Sequence, residues 1–461
     1  MRYCVVIAIL LFIAPPRGLS QDGVELAYSE FIQNIVQFHP VARQAALKVK
    51  FGAAELLKAK GSFDPALTSD WSEKNFNEKL YYRQFGARVK IPTPIGLDVV
   101  GGYNYANGDY LNPENNTSSD GLWHIGLELD VLQGLLVNER KTALQQARVY
   151  QEMARNEQQV LLNELMFNAS ASYLQWQLYF NYDRVLQDNL TLAQNYFDNA
   201  RQLFFGGEKT AMDTLEAFIL FQDAILELRK NEMELVKSRM SLENYLWFED
   251  NPIALQADVV PEPYQNDLFG AEADWSQNAS LERNPSIQAS LNKLSILELD
   301  QKLKREKLKP KLKVKYNPLI SSSNGGAASI YSVDNFTWGF GFAMPLLLRK
   351  ERAGVQQGNI KIMEQQLEID NKRNELQNKI ENSWQQQALL GEQQTLLEQN
   401  ANNYRLLLEG ENEKFRLGES SVFLLNKRQE KYIIASLKLI SNRVKRQSEW
   451  LKFLYYTNQL I

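Results

Sequence analysis

Residues 334–370, DNFTWGFGFAMPLLLRKERAGVQQGNIKIMEQQLEID, decide the fold, because the hydrophobic pattern changes within them. Phe336, Trp338, Phe340 and Phe342 alternate with small or polar residues, which is typical of a strand with one face toward lipid and the other toward a wet lumen. After Arg352 the pattern becomes helical. Alternation by itself also fits a soluble sheet. The stretch therefore predicts a strand that leads directly into a long helix.

The same pattern occurs earlier in the chain and indicates an internal duplication. Residues 122–132 alternate in the same way, and Trp123-x-x-Gly126 matches Trp338-x-x-Gly341. Asn138-Glu139-Arg140 then corresponds to Lys350-Glu351-Arg352 at the start of each helical pattern.

Paired prolines give the second landmark of the duplication. Pro40 and Pro65 lie 25 residues apart, as do Pro285 and Pro310, and each pair encloses apolar residues at helical spacing. His39 and Asn284 occupy the equivalent position before the first proline of each pair. Each copy is therefore predicted to begin with a helix and to enter its strands after the second proline.

Two long helical patterns follow the strands, Arg140 to Phe204 and Arg352 to Phe415. Each covers about 64 residues, or about 95 Å at 1.5 Å per residue. A glycine lies three residues after each phenylalanine, in Gly207-Glu208-Lys209-Thr210 and in Gly418-Glu419-Ser420-Ser421. Glycine ends a helix readily, and Thr or Ser caps the next one. A sharp turn between two helices is predicted at both sites.

These landmarks predict a duplicated helix–strand–strand–long helix–helix chain. A basic start at Arg2, an apolar run and small residues before Gln21 predict a secretory signal peptide that contains Cys4, the only cysteine. No disulfide or lipid-bearing thiol is therefore expected in the exported chain. The expected divisions are a signal peptide over 1–20; a first repeat over 21–248, with strands within about 66–133 and long helices over about 140–203 and 210–247; an inter-repeat segment over 249–283; and a second repeat over 284–461, with strands within about 311–346 and long helices over about 352–415 and 421–457.

The first repeat has a longer strand region than the second. Pro65 and Trp123 are 58 residues apart, whereas Pro310 and Trp338 are 28 apart. The additional length contains two alternating segments, over about 82–91 and 97–105. It fits either extra barrel strands or an external hairpin.

The long helices have an unusually polar surface. From Gln356 to Asn403, 19 of 48 residues are Gln or Asn, and the apolar positions are sparse. Such helices pack along a narrow seam and face water on more than one side, as the wall of a hollow cylinder requires. The alternative is a non-spanning periplasmic coiled-coil structural protein. The paired strand segments favour the cylinder, because a stalk does not need lipid-compatible strands.

Taken together, the repeated Asn/His-Pro helix start, the proline before the strands and the Phe-x-x-Gly-x-x-Ser/Thr turns resemble the TolC family of outer-membrane factors over nearly the whole chain after residue 20. The resemblance implies an α+β membrane protein. Four main strands from each subunit of a homotrimer would form one twelve-stranded outer-membrane β-barrel, which a periplasmic α-helical tunnel would continue. It also implies a passive exit duct for a tripartite efflux or type I secretion system. Its partners would be a periplasmic adaptor (membrane fusion) protein, an inner-membrane pump of the RND or ABC type, and outer-membrane lipid.

The two glycine turns would form the tunnel tip, where the adaptor docks. The tip residues implied by the resemblance are Gly207, Thr210, Asp213, Gly418, Ser421, Leu424 and Lys427. Some family members narrow the aperture with acids six and nine residues after the second glycine, but this chain has Leu424 and Lys427 there. An acidic ring from that repeat is therefore not expected. Asp213 fits a gate residue, and it also fits a capping box with Thr210.

Aromatic residues in the strand regions leave two interpretations open. Tyr81, Tyr82, Tyr103, Tyr105, Trp123, Phe336 and Trp338 fit either a membrane girdle or the core of a sheet. The girdle is favoured because no large apolar core is predicted near them.

Signals for catalysis are weak. His39 and His124 are the only histidines, so a metal site or a Ser-His-Asp triad has few residues to draw on. No catalytic residue, metal or cofactor is predicted. The excess of acidic residues, 55 against 51 basic ones, argues against nucleic-acid binding.

Overall fold

The computed structural model describes residues 24–265, 267–269, 281–321 and 331–461. The predicted signal peptide and Cys4 lie outside the described residues, as does part of the inter-repeat segment. The helices within the described residues are α1 (Tyr28–Phe38), α2 (Pro40–Gly61), α3 (Glu139–Phe205), α4 (Ala211–Glu243), α5 (Pro285–Glu306), α6 (Arg349–Arg416) and α7 (Val422–Tyr456).

The strands of the same residues form one large sheet and two small ones. They are β1 (Val24–Leu26), β2 (Ala66–Phe76), β3 (Lys79–Pro92), β4 (Leu97–Asn107), β5 (Leu122–Asp130), β6 (Trp247–Phe248), β7 (Asn251–Pro252), β8 (Val259–Pro261), β9 (Lys311–Ser321) and β10 (Tyr331–Ala343). The large sheet has the order β10-β9-β5-β4-β3-β2, and every neighbouring pair is antiparallel. A parallel pair, β1 and β8, and a short hairpin, β6 and β7, form the small sheets.

The extra length of the first repeat forms strands of the large sheet. Asn77 and Glu78 have positive φ angles of 51° and 59° and join β2 to β3 in a two-residue turn. Positive φ at both central residues matches the right-handed twist of a hairpin. The first repeat thus contributes four strands and the second two. The resemblance implied four main strands, and the described residues place these and two additional strands in one sheet.

The long helices start and end close to the predicted residues. The helix predicted from Arg140 to Phe204 is α3, which begins at Glu139 and ends at Phe205. Likewise, α6 begins at Arg349 rather than Arg352. By contrast, α4 ends at Glu243, before the expected end at about residue 247, because Trp247 and Phe248 pair with β7 instead.

Contacts between Cα atoms divide the chain into two units. Of the described residues, the helical unit contains those up to His39 and those within Asn168–Glu272 and Gln385–Leu451, and the sheet unit contains those within Pro40–Phe167, Ala273–Trp384 and Lys452–Ile461. In the helical unit, Phe31, Tyr173 and Trp176 are fully buried. In the sheet unit, Ile287 of α5 is fully buried. None of the helices within the described residues is long and apolar enough to cross a membrane.

Candidate functional site

The large sheet has one apolar face that lies open to the surroundings. Cross-strand pairs place Leu127 opposite Tyr316, and Tyr316 opposite Trp338. Alternate residues of all six strands continue this face. Its exposed large side chains include Leu67, Trp71, Val89, Ile91, Trp123, Ile125, Leu127, Tyr316, Phe336, Trp338, Phe340 and Phe342. Monomeric soluble proteins rarely expose a contiguous apolar surface of this kind, which marks a contact with lipid or with another protein.

Aromatic rings on that face contact one another across the strands. Trp71 lies 6.3 Å from Phe85, Phe85 lies 6.3 Å from Tyr103, and Tyr103 lies 4.8 Å from Trp123, between ring centroids. Trp123 is 53% exposed, and Trp71 is 59% exposed. These rings are therefore not the core of a sheet packed against another layer, and the arrangement favours the girdle interpretation. Tyr82 is not part of this aromatic face, because strand alternation places its side chain on the opposite face of the sheet.

The opposite face of the sheet is polar and carries a network of ion pairs. Glu128 of β5 accepts from Arg88 at 2.5 Å and from Lys90 at 3.1 Å. Lys313 and Lys315 of β9 lie 3.5 and 3.6 Å from the same carboxylate.

A second carboxylate, Asp98 of β4, extends the network. Its two oxygens contact Lys90 at 2.7 Å and Arg140 at 3.0 Å. The network therefore connects β3, β4, β5 and β9 with the first turn of α3. A sheet that is apolar on one face and charged on the other matches a strand wall between lipid and water.

The turn between α3 and α4 ends its helix with a glycine. Gly207 has a φ of +78°, a conformation that residues with a Cβ rarely adopt. Its N–H donates to the Phe204 carbonyl at 3.0 Å, and the N–H of Glu208 donates to the Leu203 carbonyl at 2.9 Å. This pair of bonds is a Schellman motif, which satisfies the last carbonyls of the helix.

The turn between α6 and α7 has the same geometry. Gly418 also has a φ of +78°, and its N–H donates to Phe415 at 3.1 Å. The N–H of Glu419 donates to the Lys414 carbonyl at 2.9 Å. The two turns thus end their first helix with the same pair of hydrogen bonds.

Thr210 and Asp213 form a capping box at the start of α4. The Asp213 N–H donates to the Thr210 hydroxyl at 3.3 Å, and the Thr210 N–H donates to the Asp213 carboxylate at 3.0 Å. The hydrogen bonds from the Thr210 N–H and hydroxyl lower the pKa of Asp213. The capping interpretation of this pair is confirmed.

The second turn lacks a carboxylate at the equivalent place. Ser421 caps α7 through one bond, from the Leu424 N–H at 3.2 Å. The Leu424 side chain is exposed, and Lys427 pairs with Glu430 at 2.7 Å. Nearby, the hydroxyl of Ser420 bonds Glu411 and lowers the pKa of that carboxyl.

The helix ends beside the turns pack through small residues. Ala200 of α3, Ala217 of α4 and Val422 of α7 form a buried cluster, with Phe197 and Phe415 against it. Lys209 of the first turn lies 5.7 Å above the Phe415 ring. This cluster holds together the helix ends that flank the two turns, and all seven predicted tip residues lie in or next to those turns.

A groove lies between α4 and α7 next to these turns. Its volume is about 580 Å³, and Ile219, Ile433 and Ile434 contribute to its apolar lining. Glu216 and Glu227 lie along the α4 side. The exposed rings of Phe205, at the end of α3, and Phe423, at the start of α7, lie beside the two turns.

Neither histidine belongs to a group of described residues that could hold a metal ion. His39 stacks on Tyr245 at 5.8 Å between centroids, and burial lowers its pKa. His124 projects from the polar face of β5 toward Gly102. Within the part of the chain that the structure describes, no group of three or more His, Cys, Asp or Glu residues is arranged to hold a metal ion.

This chain is similar to known proteins in structure, whereas its sequence is not. No family model and no curated protein matches the sequence. Solved structures do match. The outer membrane channel CmeC of Campylobacter jejuni superposes with a TM-score of 0.66 at 12% identity, over 94% of this chain and 85% of that one. The outer membrane protein VceC of Vibrio cholerae gives 0.66 at 11% identity, over 93% and 95%. The open state of the Neisseria gonorrhoeae outer membrane channel MtrE gives 0.63 at 12%, over 96% and 94%.

This chain has the outer-membrane channel fold. The match covers both repeats, so the fold expected from the TolC resemblance is confirmed. The alternative of a coiled-coil structural protein has no support from these comparisons.

One functional feature of this outer-membrane channel fold was missed by the sequence reasoning. The ion network around Glu128 joins residues from three separate stretches of the chain. A signal was present, since Lys311, Lys313 and Lys315 alternate along one strand pattern. Their partners depend on strand register, which the pattern alone does not specify.

Proposed function

We propose that the chain is one subunit of a homotrimeric exit duct in the outer membrane, which carries substrates of a tripartite efflux or type I secretion system. The duct is passive, and the energy comes from an inner-membrane pump of the RND or ABC type. Three copies pool their strands into a β-barrel, and their long helices form a periplasmic tunnel. An N-terminal signal peptide directs export.

The exposed apolar face of the large sheet carries this proposal. Hydrocarbon has no groups that bond to free N–H and C=O, so an open sheet edge there costs several kcal/mol for each unpaired group. The large sheet has two free edges, β2 and β10. The apolar face prefers lipid, but the two edges cannot enter lipid unpaired. Both conditions are met only if neighbouring copies pair their edges.

The directions of the two edge strands fit such a ring. All neighbours in the six-stranded sheet are antiparallel, so β2 and β10 run in opposite directions. Placing β10 of one copy beside β2 of the next continues an antiparallel sheet. A closed ring related by cyclic symmetry leaves no edge.

The two glycine turns are the proposed docking site for the periplasmic adaptor. The turns present exposed apolar rings beside capped helix ends, and the groove between α4 and α7 is large enough to take side chains of a partner helix. Gly207, Thr210, Asp213, Gly418, Ser421, Leu424 and Lys427 form this tip. With Leu424 and Lys427 in place of acids, the second repeat contributes no acidic ring to the aperture.

Membrane fractionation tests the duct. We expect the full-length protein in the detergent-extracted outer membrane, as a trimer by size-exclusion chromatography with light scattering. Recovery as a water-soluble periplasmic monomer would contradict the proposal and revive the coiled-coil alternative.

Gly418→Val tests the docking role of the tip. A residue with a Cβ costs about 1–2 kcal/mol in the left-handed conformation, and valine costs more because it is branched. No atom lies within 4 Å of a Cβ built at Gly418, so the change acts on the turn conformation and not on packing. We expect trimers to persist while co-purification of the adaptor and export are lost.

The matched control is Gly410→Val, in the interior of α6. A Cβ there also meets open space, but the backbone is helical and accepts valine. We expect this variant to export normally. Normal export by Gly418→Val would contradict the docking role and leave the duct itself untouched.

A further inference from the structure

The polar face of the large sheet has an excess of positive charge. Five cations, Arg88, Lys90, Arg140, Lys313 and Lys315, surround only two carboxylates, Glu128 and Asp98. The same face also carries Asp70, Lys74, Asp130 and Lys311, two of each sign. The excess is therefore three positive charges in each chain.

Burial separates the two signs within this network. The side chain of Glu128 is 4% exposed, and that of Asp98 is 9% exposed. The side chains of Arg88 and Lys315, in contrast, are 43% and 50% exposed. The carboxylates thus lie beneath the cations and reduce their mutual repulsion, while water on this side of the sheet meets mainly ammonium and guanidinium groups.

We propose that this face makes the pore selective for anions and suits the duct to anionic cargo. The inference rests on the proposed function, in which the polar face lines the lumen. Rings of Lys and Arg select anions in channels, and low-dielectric walls lined by charges of one sign concentrate their field. In a trimer the excess triples and is arranged around the axis. Lys313 and Lys315 are the specificity-determining residues, because their contacts with Glu128 are the longest in the network.

The test is the zero-current potential of the full-length protein in planar lipid bilayers under a KCl gradient. We expect the wild-type potential to have the sign of the chloride equilibrium potential. Lys313→Gln/Lys315→Gln should lower the chloride-to-potassium permeability ratio by at least about twofold. Arg88 and Lys90 still pair with Glu128 in this variant, so its carboxylate stays compensated.

A matched control removes two lysines from outside the sheet. Lys230→Gln/Lys237→Gln changes two exposed residues of α4, away from the charged face of the sheet, and should shift the permeability ratio less than the variant in β9. If the double variant in β9 does not assemble, Lys315→Gln alone gives a smaller shift in the same direction.

The possible results separate a failure of anion selectivity from a failure of the duct itself. A cation-selective wild-type channel, or an equal shift in the α4 control, overturns the selectivity proposal while the duct stands. A trimer that never conducts overturns the proposed function, and the selectivity proposal falls with it.

Discussion

At the residue scale, the capping box of α4 predicts a local, pH-dependent stability. In Thr210→Ala, the Asp213 N–H loses its acceptor, and a lost N-cap costs about 1 kcal/mol. We expect the first-turn amides of α4 to exchange roughly fivefold faster by hydrogen–deuterium exchange of the whole protein, the factor that corresponds to 1 kcal/mol. Unchanged exchange would show that the cap contributes nothing to this helix end.

The stability of this helix end depends on pH through the carboxyl group of Asp213. Its pKa is lower in the folded protein, because the Thr210 N–H and hydroxyl donate to the ionised carboxylate. This contribution is therefore complete above the ordinary pKa of an aspartate, about 4, and is lost as the pH falls through the lower folded value. Ser421→Ala is the control, since Leu424 stands where a carboxylate would be, and its effect should not vary over this pH range.

Two glycine-to-alanine changes should have opposite effects on stability. A Cβ at Gly52 of α2 would lie 2.9 Å from the Ala154 Cβ and 3.4 Å from the Gln151 Cα of α3. Gly52→Ala must therefore push the helices apart, at about 1–3 kcal/mol. Gly354→Ala meets open space in α6 and removes a poor helix former, so it should stabilise by up to about 1 kcal/mol.

Chemical unfolding of both purified variants measures this pair. Wild-type stability in Gly52→Ala would mean that α2 and α3 are not in close contact at this point. Gly354→Ala is the control, because a glycine-to-alanine change that meets no neighbouring atom should not destabilise the protein.

At the scale of elements, the hydroxyl of Tyr173 stabilises the very short parallel sheet of β1 and β8, called the β1–β8 ribbon below. β1 and β8 share only three paired positions, and so small a sheet is marginal by itself. Tyr173 of α3 donates to the Leu26 carbonyl at 2.7 Å and accepts from the Glu262 N–H at 3.0 Å. Burial raises the pKa of Tyr173, so the phenol stays protonated.

Tyr173→Phe should therefore release the ribbon. Leaving two backbone groups without their partner costs about 1–3 kcal/mol. We expect faster proteolysis within residues 24–27 and 259–263 of the otherwise intact protein. Tyr28→Phe is the control, because it loses only a side-chain bond, to Ser170 at 2.7 Å, and should have a smaller effect. Equal proteolysis of the two variants would contradict the role of Tyr173.

The elements differ in how far the sequence predicts them. The long helices and their turns could be predicted to within a few residues because each appears twice, with a glycine and a cap at matched spacing. The β1–β8 ribbon could not, since three-residue strands have no readable period and their pairing joins distant parts of the chain. In the candidate site, the capping box was readable from Thr210-x-x-Asp213, whereas the ion network depends on register.

At the scale of the whole molecule, the six-stranded sheet changes the expected size of the barrel. With all six strands in the ring, the three copies of the proposed trimer would bring eighteen strands, whereas the resemblance implies twelve. Barrel diameter grows roughly linearly with strand number, and barrels of about 16–18 strands leave an aqueous channel. Every residue of β2 is exposed in the single chain, as expected of an edge that awaits a partner.

Cysteine crosslinking between copies tests this closure, because the only native cysteine is Cys4. Pairs that combine Ser72→Cys in β2 with Thr337→Cys or Gly339→Cys in β10 should link subunits on mild oxidation, since edge strands of neighbours lie about 4.8 Å apart. Asn104→Cys with the same β10 positions is the control. Its strand, β4, already pairs with β3 and β5 and has no free edge, so no link should form. Links from β4 but not from β2 would mean that the β2–β3 hairpin lies outside the ring. The barrel would then close with four strands from each chain.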